Sequence, residues 1–294
     1  MPRELAERLK DSIVSTVRGT GEIVNAVTET VSDTLVTALQ GTGSVGKALT
    51  GAVADVASGA IEGTSQVGGD LGKAAKGAVI GVLQGTKRVG AEAVDTIGST
   101  VQTLVKTTVE VGGDAGSAAR QAMEGTIEGA RSIKLAGVEA VTAAAAGAVQ
   151  GVGRVGVSAT TTTADVAREL ISGAANVGGD LGSAAKGTML GVLRGTKELT
   201  AQATDTVGAT AGSLVRATAG VGGDIAATAR AAVDGTIQGA REVGVDAAGA
   251  ASAAATGALA AAGDIGTAAV EQVERAATGV ISGVKVVVTS PFRG

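Results

Sequence analysis

The positions of the charged residues constrain this chain more than any other feature of its sequence. When the sequence is written in rows of eleven from Met1, all but two of the 24 basic and 28 acidic side chains fall in columns 3, 4, 7, 10 and 11. The exceptions are Arg8 and Lys134. Eleven residues make three helical turns at about 3.67 residues per turn, so the charged columns share one helix face. In a β-strand an odd period would alternate faces, so the pattern predicts helix.

The same pattern predicts how the helix is organised. Proline occurs only at Pro2 and Pro291, and no cluster of loop residues interrupts the middle of the chain. We therefore predict an all-α protein whose hendecad helix, a helix with an eleven-residue repeat, runs nearly end to end. Residues 1–22 would start this helix, 23–286 would form the repeat and 287–294 a C-terminal tail, with possible breaks at N-terminal glycine pairs such as Gly41 and Gly43. An internal duplication relates residues 67–154 to residues 177–264.

The composition excludes several classes of function. The chain has no His, Cys, Trp or Tyr, and Phe292 is its one aromatic residue. Without His and Cys there is no usual general base, no thiol nucleophile and no soft metal ligand. We predict that the protein is not an enzyme and has no catalytic, cofactor-binding or metal-binding residues. A net charge of −4 and the lack of stacking aromatics also argue against nucleic acid as a partner.

Targeting signals are not apparent in the sequence. The first residues carry both charges and no apolar core of a signal peptide. The longest uncharged run, residues 247–263, consists mostly of Ala and Gly and is shorter than the ~18–20 apolar residues that a spanning helix needs. We predict a cytoplasmic protein without a transmembrane span, and leave peripheral membrane association open.

The glycines predict close helix packing. Each glycine inside a helix costs roughly 1 kcal/mol relative to alanine, so a helix among 48 glycines needs neighbours to be stable. Glycines at helical spacing let two backbones approach closely. Columns 4 and 8 contain seven GxxxG pairs, and column 2 has further glycines in alternate rows. The predicted helix-packing residues are Gly59, Gly63, Gly81, Gly85, Gly125, Gly129, Gly147, Gly151, Gly191, Gly195, Gly235, Gly239, Gly279 and Gly283 in the pairs, with Gly68, Gly112, Gly178 and Gly222 in column 2.

Opposite charges border the uncharged face and predict the orientation of neighbouring helices. Column 10 on one edge is mainly basic, and column 4 on the other edge has acids and no base. Parallel neighbours would set a basic edge against an acidic edge, whereas antiparallel neighbours would pair like charges. The alternative is an ordinary solvated face with pairs along one helix. The predicted charge edges are Lys76, Lys87, Arg120, Arg131, Lys186, Lys197, Arg230 and Arg241 against Asp70, Glu92, Asp114, Asp180, Asp224 and Asp246.

The width of the uncharged face predicts the function. It covers about half of the helix circumference and exceeds the narrow seam of a two-stranded coiled coil. We predict a structural protein that assembles with itself, in parallel and with more than two helices, into a right-handed coiled-coil bundle, tube or filament. A ring of helices would enclose an apolar lumen, so a conduit for lipid or quinone is one alternative. A protein that binds lipid or membrane surfaces is another, and a desiccation protectant or antifreeze-like protein is a third.

Several families share parts of this pattern. The segments GVLQGTKR at 81–88 and GVLRGTKE at 191–198 resemble the repeats of synucleins and perilipins, which implies binding to membrane or lipid-droplet surfaces. The eleven-residue phase is also similar to that of late embryogenesis abundant proteins. The sequence Val-Gly-Gly-Asp occurs at 67–70, 111–114, 177–180 and 221–224. Over nearly the whole chain the pattern most resembles bacterial Gly/Ala-rich hendecad proteins, which implies a coiled-coil assembly.

Overall fold

A computed structural model describes residues 2–20, 22–40, 45–135, 137–154, 159–176, 179–196 and 203–288. These residues form thirteen helices and one β-hairpin, and the chain divides into two compact units, Met1–Val157 and Ser158–Gly294. The all-α prediction is confirmed. The prediction of one nearly continuous helix is wrong, because a turn interrupts the chain at about every second eleven-residue row. The predicted duplication places its first copy in unit 1 and its second copy in unit 2.

Unit 1 consists of two layers of helices. Helices α1, α3, α5 and α7 form one layer, and α2, α4 and α6 form the other, so that each helix packs most extensively against the helix two places along the chain. Consecutive helices are joined by short turns and lie in different layers. The helices are α1 (Pro2–Thr20), α2 (Ile23–Leu39), α3 (Val45–Gln66), α4 (Leu71–Arg88), α5 (Val94–Glu110), α6 (Ala115–Ile133) and α7 (Gly137–Arg154).

Unit 2 repeats this arrangement and ends in a hairpin. Helices α8, α10 and α12 form one layer, and α9, α11 and α13 form the other. Strands β1 (Gly279–Ile281) and β2 (Val284–Val286) pair antiparallel after α13, and β2 packs against α12. The helices are α8 (Ala159–Asn176), α9 (Leu181–Thr196), α10 (Ala203–Gly220), α11 (Ile225–Val243), α12 (Ala247–Ile265) and α13 (Thr267–Ala277).

The Val-Gly-Gly-Asp sequences at 67–70, 111–114 and 221–224 are turns that end one helix and begin the next. After α5, Gly112 has a φ of 84°, a left-handed conformation that favours glycine. The N–H of Gly113 donates to the carbonyl of Thr108 at 2.7 Å, and the N–H of Gly112 to that of Val109 at 3.0 Å. This pair of bonds is the Schellman motif of helix C-termini. Asp114 then accepts a hydrogen bond from the N–H of Ser117 at 2.7 Å and caps α6.

The uncharged columns form the core of each unit. In unit 1 its largest fully buried side chains include Leu35, Ile61, Leu83 and Met123, surrounded by many buried Ala, Val and Thr residues. The apolar face that the sequence analysis assigned to contacts between chains is therefore buried within one chain. The two charges in uncharged columns are also explained, because Arg8 is exposed on the first helix and Lys134 is exposed in the turn after α6.

Candidate functional site

The GxxxG glycines bring parallel helices of the same layer into backbone contact. In α7, a Cβ on Gly147 would overlap the carbonyl oxygen of Gly98 in α5. In α6, a Cβ on Gly125 would lie 2.6 Å from the carbonyl oxygen of Lys76 in α4. A contact this close leaves no room for any side chain at these positions. The glycines therefore act as helix-packing residues inside one chain.

Most of the predicted GxxxG pairs lie at such contacts. Gly59 and Gly63 in α3 contact α1, and Gly81 and Gly85 in α4 contact α2. The three other pairs at such contacts are Gly125 and Gly129 of α6 on α4, Gly147 and Gly151 of α7 on α5, and Gly235 and Gly239 of α11 on α9. Gly191 and Gly195 are buried in α9. Gly279 and Gly283 lie instead in the β-hairpin, both with positive φ.

The predicted column 2 glycines lie in turns instead of helix contacts. Gly68, Gly112 and Gly222 have positive φ, and a Cβ on any of them would meet nothing within 4 Å. Their role is to end a helix, as the hydrogen bonds around Gly112 indicate. Gly178 lies outside the described residues.

The acids of column 4 do not form the predicted charged edge between neighbouring helices, and most of them lie at helix N-termini. Asp70, Asp114, Asp224 and Asp246 each cap a helix by accepting a hydrogen bond from a backbone N–H of its first turn. Asp180 accepts a hydrogen bond from the hydroxyl of Ser183, and further bonds from the N–H groups of Gly182 and Ser183 at the start of α9. The Ser183 hydroxyl first, and the two N–H groups with it, hold the pKa of the Asp180 carboxyl below the usual value. Glu92 is exposed in the turn before α5. Carboxylates at helix N-termini also interact favourably with the helix dipole.

Ion pairs do join parallel helices of one layer. The bases Lys76 and Lys186 were predicted, but the acids that pair with them are not those of column 4. Lys76 of α4 contacts Glu124 at 2.8 Å and Glu128 at 2.9 Å in α6. In unit 2, Lys186 of α9 contacts Asp234 of α11 at 2.7 Å. The pairs Arg194–Glu242 and Arg216–Asp264, like Lys76–Glu124, join residues 48 apart. Opposite charges at this separation were the signal that sequence reasoning missed.

Three members of these pairs, Lys76, Asp234 and Glu242, have shifted pKa values. Partial burial by itself lowers the pKa of Lys76, but the bonds to Glu124 and Glu128 outweigh it and raise the pKa above 10.5. Burial by itself raises the pKa of Asp234, and its bonds to Lys186 and Ser282 outweigh this effect and lower the pKa. Glu242 behaves in the same way beside Arg194. Asp55 in α3 has a raised pKa because it is partly buried.

The other predicted bases lie on the same layers. Lys87 donates to the carbonyl of Ile133 at 3.2 Å, and Arg241 donates to the carbonyl of Ser282 at 2.8 Å. Arg120 is half-buried on α6, whereas Arg131 and Arg230 are exposed on α6 and α11. Lys197 lies outside the described residues. The structure thus brings together only part of the predicted charge set, and does so between helices of one chain.

Polar groups lie on the first two helices of unit 1 and around the hairpin of unit 2. At the start of unit 1, α1 exposes Glu7, Arg8, Asp11 and Ser15, and α2 exposes Glu29, Asp33 and Thr37. At the end of unit 2, the side chain of Ser282 in the hairpin donates to Asp234, and the N–H of Val287 donates to Ser252 of α12 at 3.3 Å. Exposed charged side chains on the first helix of each layer, as on α1 and α2 in unit 1, are typical of the terminal repeat of a helical-repeat array.

Within the described residues, no group of three or more Asp, Glu, His or Cys side chains could hold a metal ion. None of the described helices has the length and apolar character needed to cross a membrane. A comparison with models of known protein families gives no match, and a comparison with curated proteins gives none either.

Proposed function

We propose that this protein is a structural helical-repeat scaffold that folds as a single chain and has no catalytic role. The observation that carries the proposal is the set of glycine contacts between helices of one layer, such as Gly147 on Gly98 and Gly125 on Lys76. These contacts use the glycine ridges within the chain. Helix association stabilises a glycine-rich helix wherever the neighbour comes from, so a partner chain is not required for folding.

The distribution of apolar surface supports this proposal. Within the described residues, the exposed large hydrophobic side chains lie at turns, at a helix end and in or beside the hairpin. They form no face along a helix of the kind that a membrane-surface helix buries in lipid. These side chains are Val221, Val245, Ile265, Val280 and Val287.

The exposed polar side chains of α2 disfavour the addition of a further helix to this layer of unit 1. If a further helix packed on α2 as α2 packs on α4, Asp33 and Thr37 would lie at a backbone contact, because they stand in the columns of Gly77 and Gly81. Both are exposed, and Asp33 pairs with Arg88 at 2.6 Å. Placing these side chains where glycine is needed, and burying a charged pair, is costly. Self-association, a lumen that conducts lipid or quinone, lipid-surface binding and a cytoplasmic location stay predictions.

Light scattering and vesicle flotation test the proposal together. For the purified chain we expect a mass near 27.9 kDa over a wide range of concentration, with high helical content. We also expect no flotation with anionic or neutral vesicles at low salt. A defined larger mass would favour the predicted homo-oligomer, and flotation with loss of the folded layers would favour the lipid-surface alternative. Either result would overturn the single-chain scaffold.

A further inference from the structure

The β-hairpin lies where the eleven-residue pattern predicts helix. Residues 278–287 follow α13 and correspond to residues 234–243 of α11, 44 positions earlier, and the charge phase continues through both. The two segments share the pattern Gly-x-Ile-x-Gly, at 279–283 and at 235–239. Helix α13 ends at Ala277 after 11 residues, whereas α11 has 19. In the sequence, the hairpin therefore takes the place of the second half of a full-length helix.

The hairpin exposes the side chains that a helix would bury. Val280 is 74% exposed and Val287 is 58% exposed, the highest values among the large hydrophobic residues that the structure describes. Both stand in uncharged columns, and the residue of α11 that corresponds to Val280, Thr236, is fully buried. The reverse holds for Val286, which is buried in the hairpin but stands in the charged column of the exposed Glu242. The hairpin and the repeat thus assign opposite faces to the same residues.

The turn of the hairpin combines stabilising bonds with an unfavourable backbone conformation. Arg241 of α11 donates to the carbonyl of Ser282 at 2.8 Å, and the hydroxyl of Ser282 donates to Asp234. Ser282 and Gly283 have φ of 47° and 78°, the left-handed pair that a type I′ turn requires. A residue with a side chain is disfavoured in this conformation, and a helix would relieve Ser282 of it. The bonds and the β-branched strands therefore favour the hairpin, whereas this turn residue and the exposed valines favour a helix.

We propose that residues 278–287 are a two-state segment, with this hairpin as one state and a helix that extends α13 along α11 as the other. In the helix, Val280 and Val287 enter the buried columns. Gly279 and Gly283 then pack on α11 as the other GxxxG pairs pack on their neighbouring helices. The end of unit 2 thereby alternates between a more apolar and a more polar surface. Any contact made by only one of these surfaces shifts the equilibrium, so the segment acts as a switch.

Two glutamate substitutions separate the states. Val286→Glu buries a charge in the hairpin but falls on the charged face of the helix, so we expect it to convert the segment to helix. The N–H groups of Val280 and Lys285, the middle pair of the hairpin, point away from the partner strand, whereas a helix bonds each to the carbonyl four residues earlier. Residue-resolved hydrogen exchange by NMR should therefore slow at these two amides by about tenfold or more. The matched control is Val280→Glu, which is exposed in the hairpin and buried in the helix, and which should keep the hairpin.

Chemical-exchange saturation transfer tests the unmodified chain. We expect a second state of residues 280–287, populated at ~0.1–10%, whose ¹³Cα shifts are helical and match those of the Val286→Glu variant. This state should be absent from Val280→Glu. Circular dichroism establishes that each variant is folded. Unchanged or faster exchange at the two amides in folded Val286→Glu would overturn the proposal, and so would a wild-type chain with no second state or with one that has random-coil shifts.

Discussion

Helices α4–α7 of unit 1 and α9–α12 of unit 2 are two copies of one sequence, 110 residues apart, and they differ in an informative way. The backbone contacts recur, because Gly147 lies on Gly98 in the first copy and Gly257 on Gly208 in the second. The surface pairs change. Lys76 contacts two glutamates in the first copy, whereas the corresponding Lys186 contacts the single acid Asp234.

The comparison indicates that the backbone contacts at glycine specify the fold and that the ion pairs on the surface do not. A position in backbone contact accepts only glycine, so a change there removes the packing of two helices. An exposed ion pair contributes about 0–1 kcal/mol and tolerates exchange of its partner. We therefore expect mutations to fall into a hierarchy, with helix contacts first, turns second, buried hydroxyls third and ion pairs last.

The largest effect is expected at the recurring glycine contacts. Gly147→Ala and Gly257→Ala should each destabilise their own unit by about 2–3 kcal/mol, because the new methyl group overlaps a backbone that cannot move away cheaply. Hydrogen exchange of peptides from α5 and α7, and from α10 and α12, measures the two units separately. Equal losses in both copies would establish that the contacts are equivalent.

The matched control is Gly51→Ala in α3, where a Cβ would meet nothing within 4 Å. Alanine should stabilise that helix by up to about 1 kcal/mol through its higher helix propensity. If Gly147→Ala stabilised unit 1 in the same way, close backbone approach would not be what this glycine provides.

The sequence predicts the element type, the buried columns and most of the contact glycines. It does so because the charge phase and the GxxxG spacing report local geometry, which is the same whether the neighbouring helix belongs to the same chain or another. It could not distinguish those two cases. The phase alone does not say where the partner of Gly125 comes from, and in the structure it is Lys76 of the same chain.

The turns were missed for a physical reason. Each helix and its turn together fill two rows of eleven, so reversing the chain leaves the columns in phase. Proline is not needed, because Gly112 ends α5 and Asp114 begins α6. A glycine after the last helical residue followed by an N-cap aspartate is a recognised pair of stop and start signals. This pair of signals is present in every Val-Gly-Gly-Asp sequence. Because the sequence analysis assumed one continuous helix, it interpreted these residues as packing positions.

The second effect is expected at a turn where the two copies differ. Lys134 follows α6 with a φ of 58°, and the corresponding residue after α11 is Gly244, with a φ of 76°. A left-handed residue with a side chain costs roughly 1–2 kcal/mol. Lys134→Gly should therefore stabilise unit 1 by about 1 kcal/mol, and Gly244→Lys should destabilise unit 2 by a similar amount. Hydrogen exchange of the peptides that flank each turn measures the change in stability of both units. A loss of stability from Lys134→Gly would contradict the argument.

A third, smaller effect concerns a buried threonine. The hydroxyl of Thr108 has no hydrogen-bond partner among the described residues, whereas the corresponding Thr218 donates to Thr228 at 3.2 Å. In unit 1 the place of Thr228 is taken by Ala118. Thr108→Val removes an unsatisfied buried group and should stabilise unit 1 by about 1 kcal/mol, while Thr218→Val should destabilise unit 2. Denaturant unfolding with peptide-resolved hydrogen exchange measures the stability of each unit. Stability changes of the same sign in the two units would show that the hydrogen-bond partner of the threonine hydroxyl does not decide the effect of the substitution.

The smallest effect concerns the ion pairs and separates the copies by pH. The pKa of Asp234 is lowered in the folded state, so its contribution is complete above the unfolded value of 3.8 and is lost as the pH falls through the folded pKa. The pKa of Lys76 is raised, so its contribution is complete below 10.5 and is lost as the pH rises through the folded pKa. Of these two contributions, the one that acid removes lies in unit 2 and the one that alkali removes lies in unit 1.

Two substitutions make that separation measurable. Asp234→Asn should cost unit 2 about 0.5 kcal/mol at neutral pH, a value typical of partly exposed pairs, and the cost should vanish at a pH well below 3.8. Lys76→Met is the counterpart in alkali, because its cost to unit 1 should be present at neutral pH and fade only as the pH rises above 10.5. Peptide-resolved hydrogen exchange covers the acid range, and thermal unfolding followed by circular dichroism covers the alkaline range. A cost of Asp234→Asn that persists in strong acid would mean that the side chain stabilises α11 through packing, since a protonated carboxyl has no charge left to pair with Lys186.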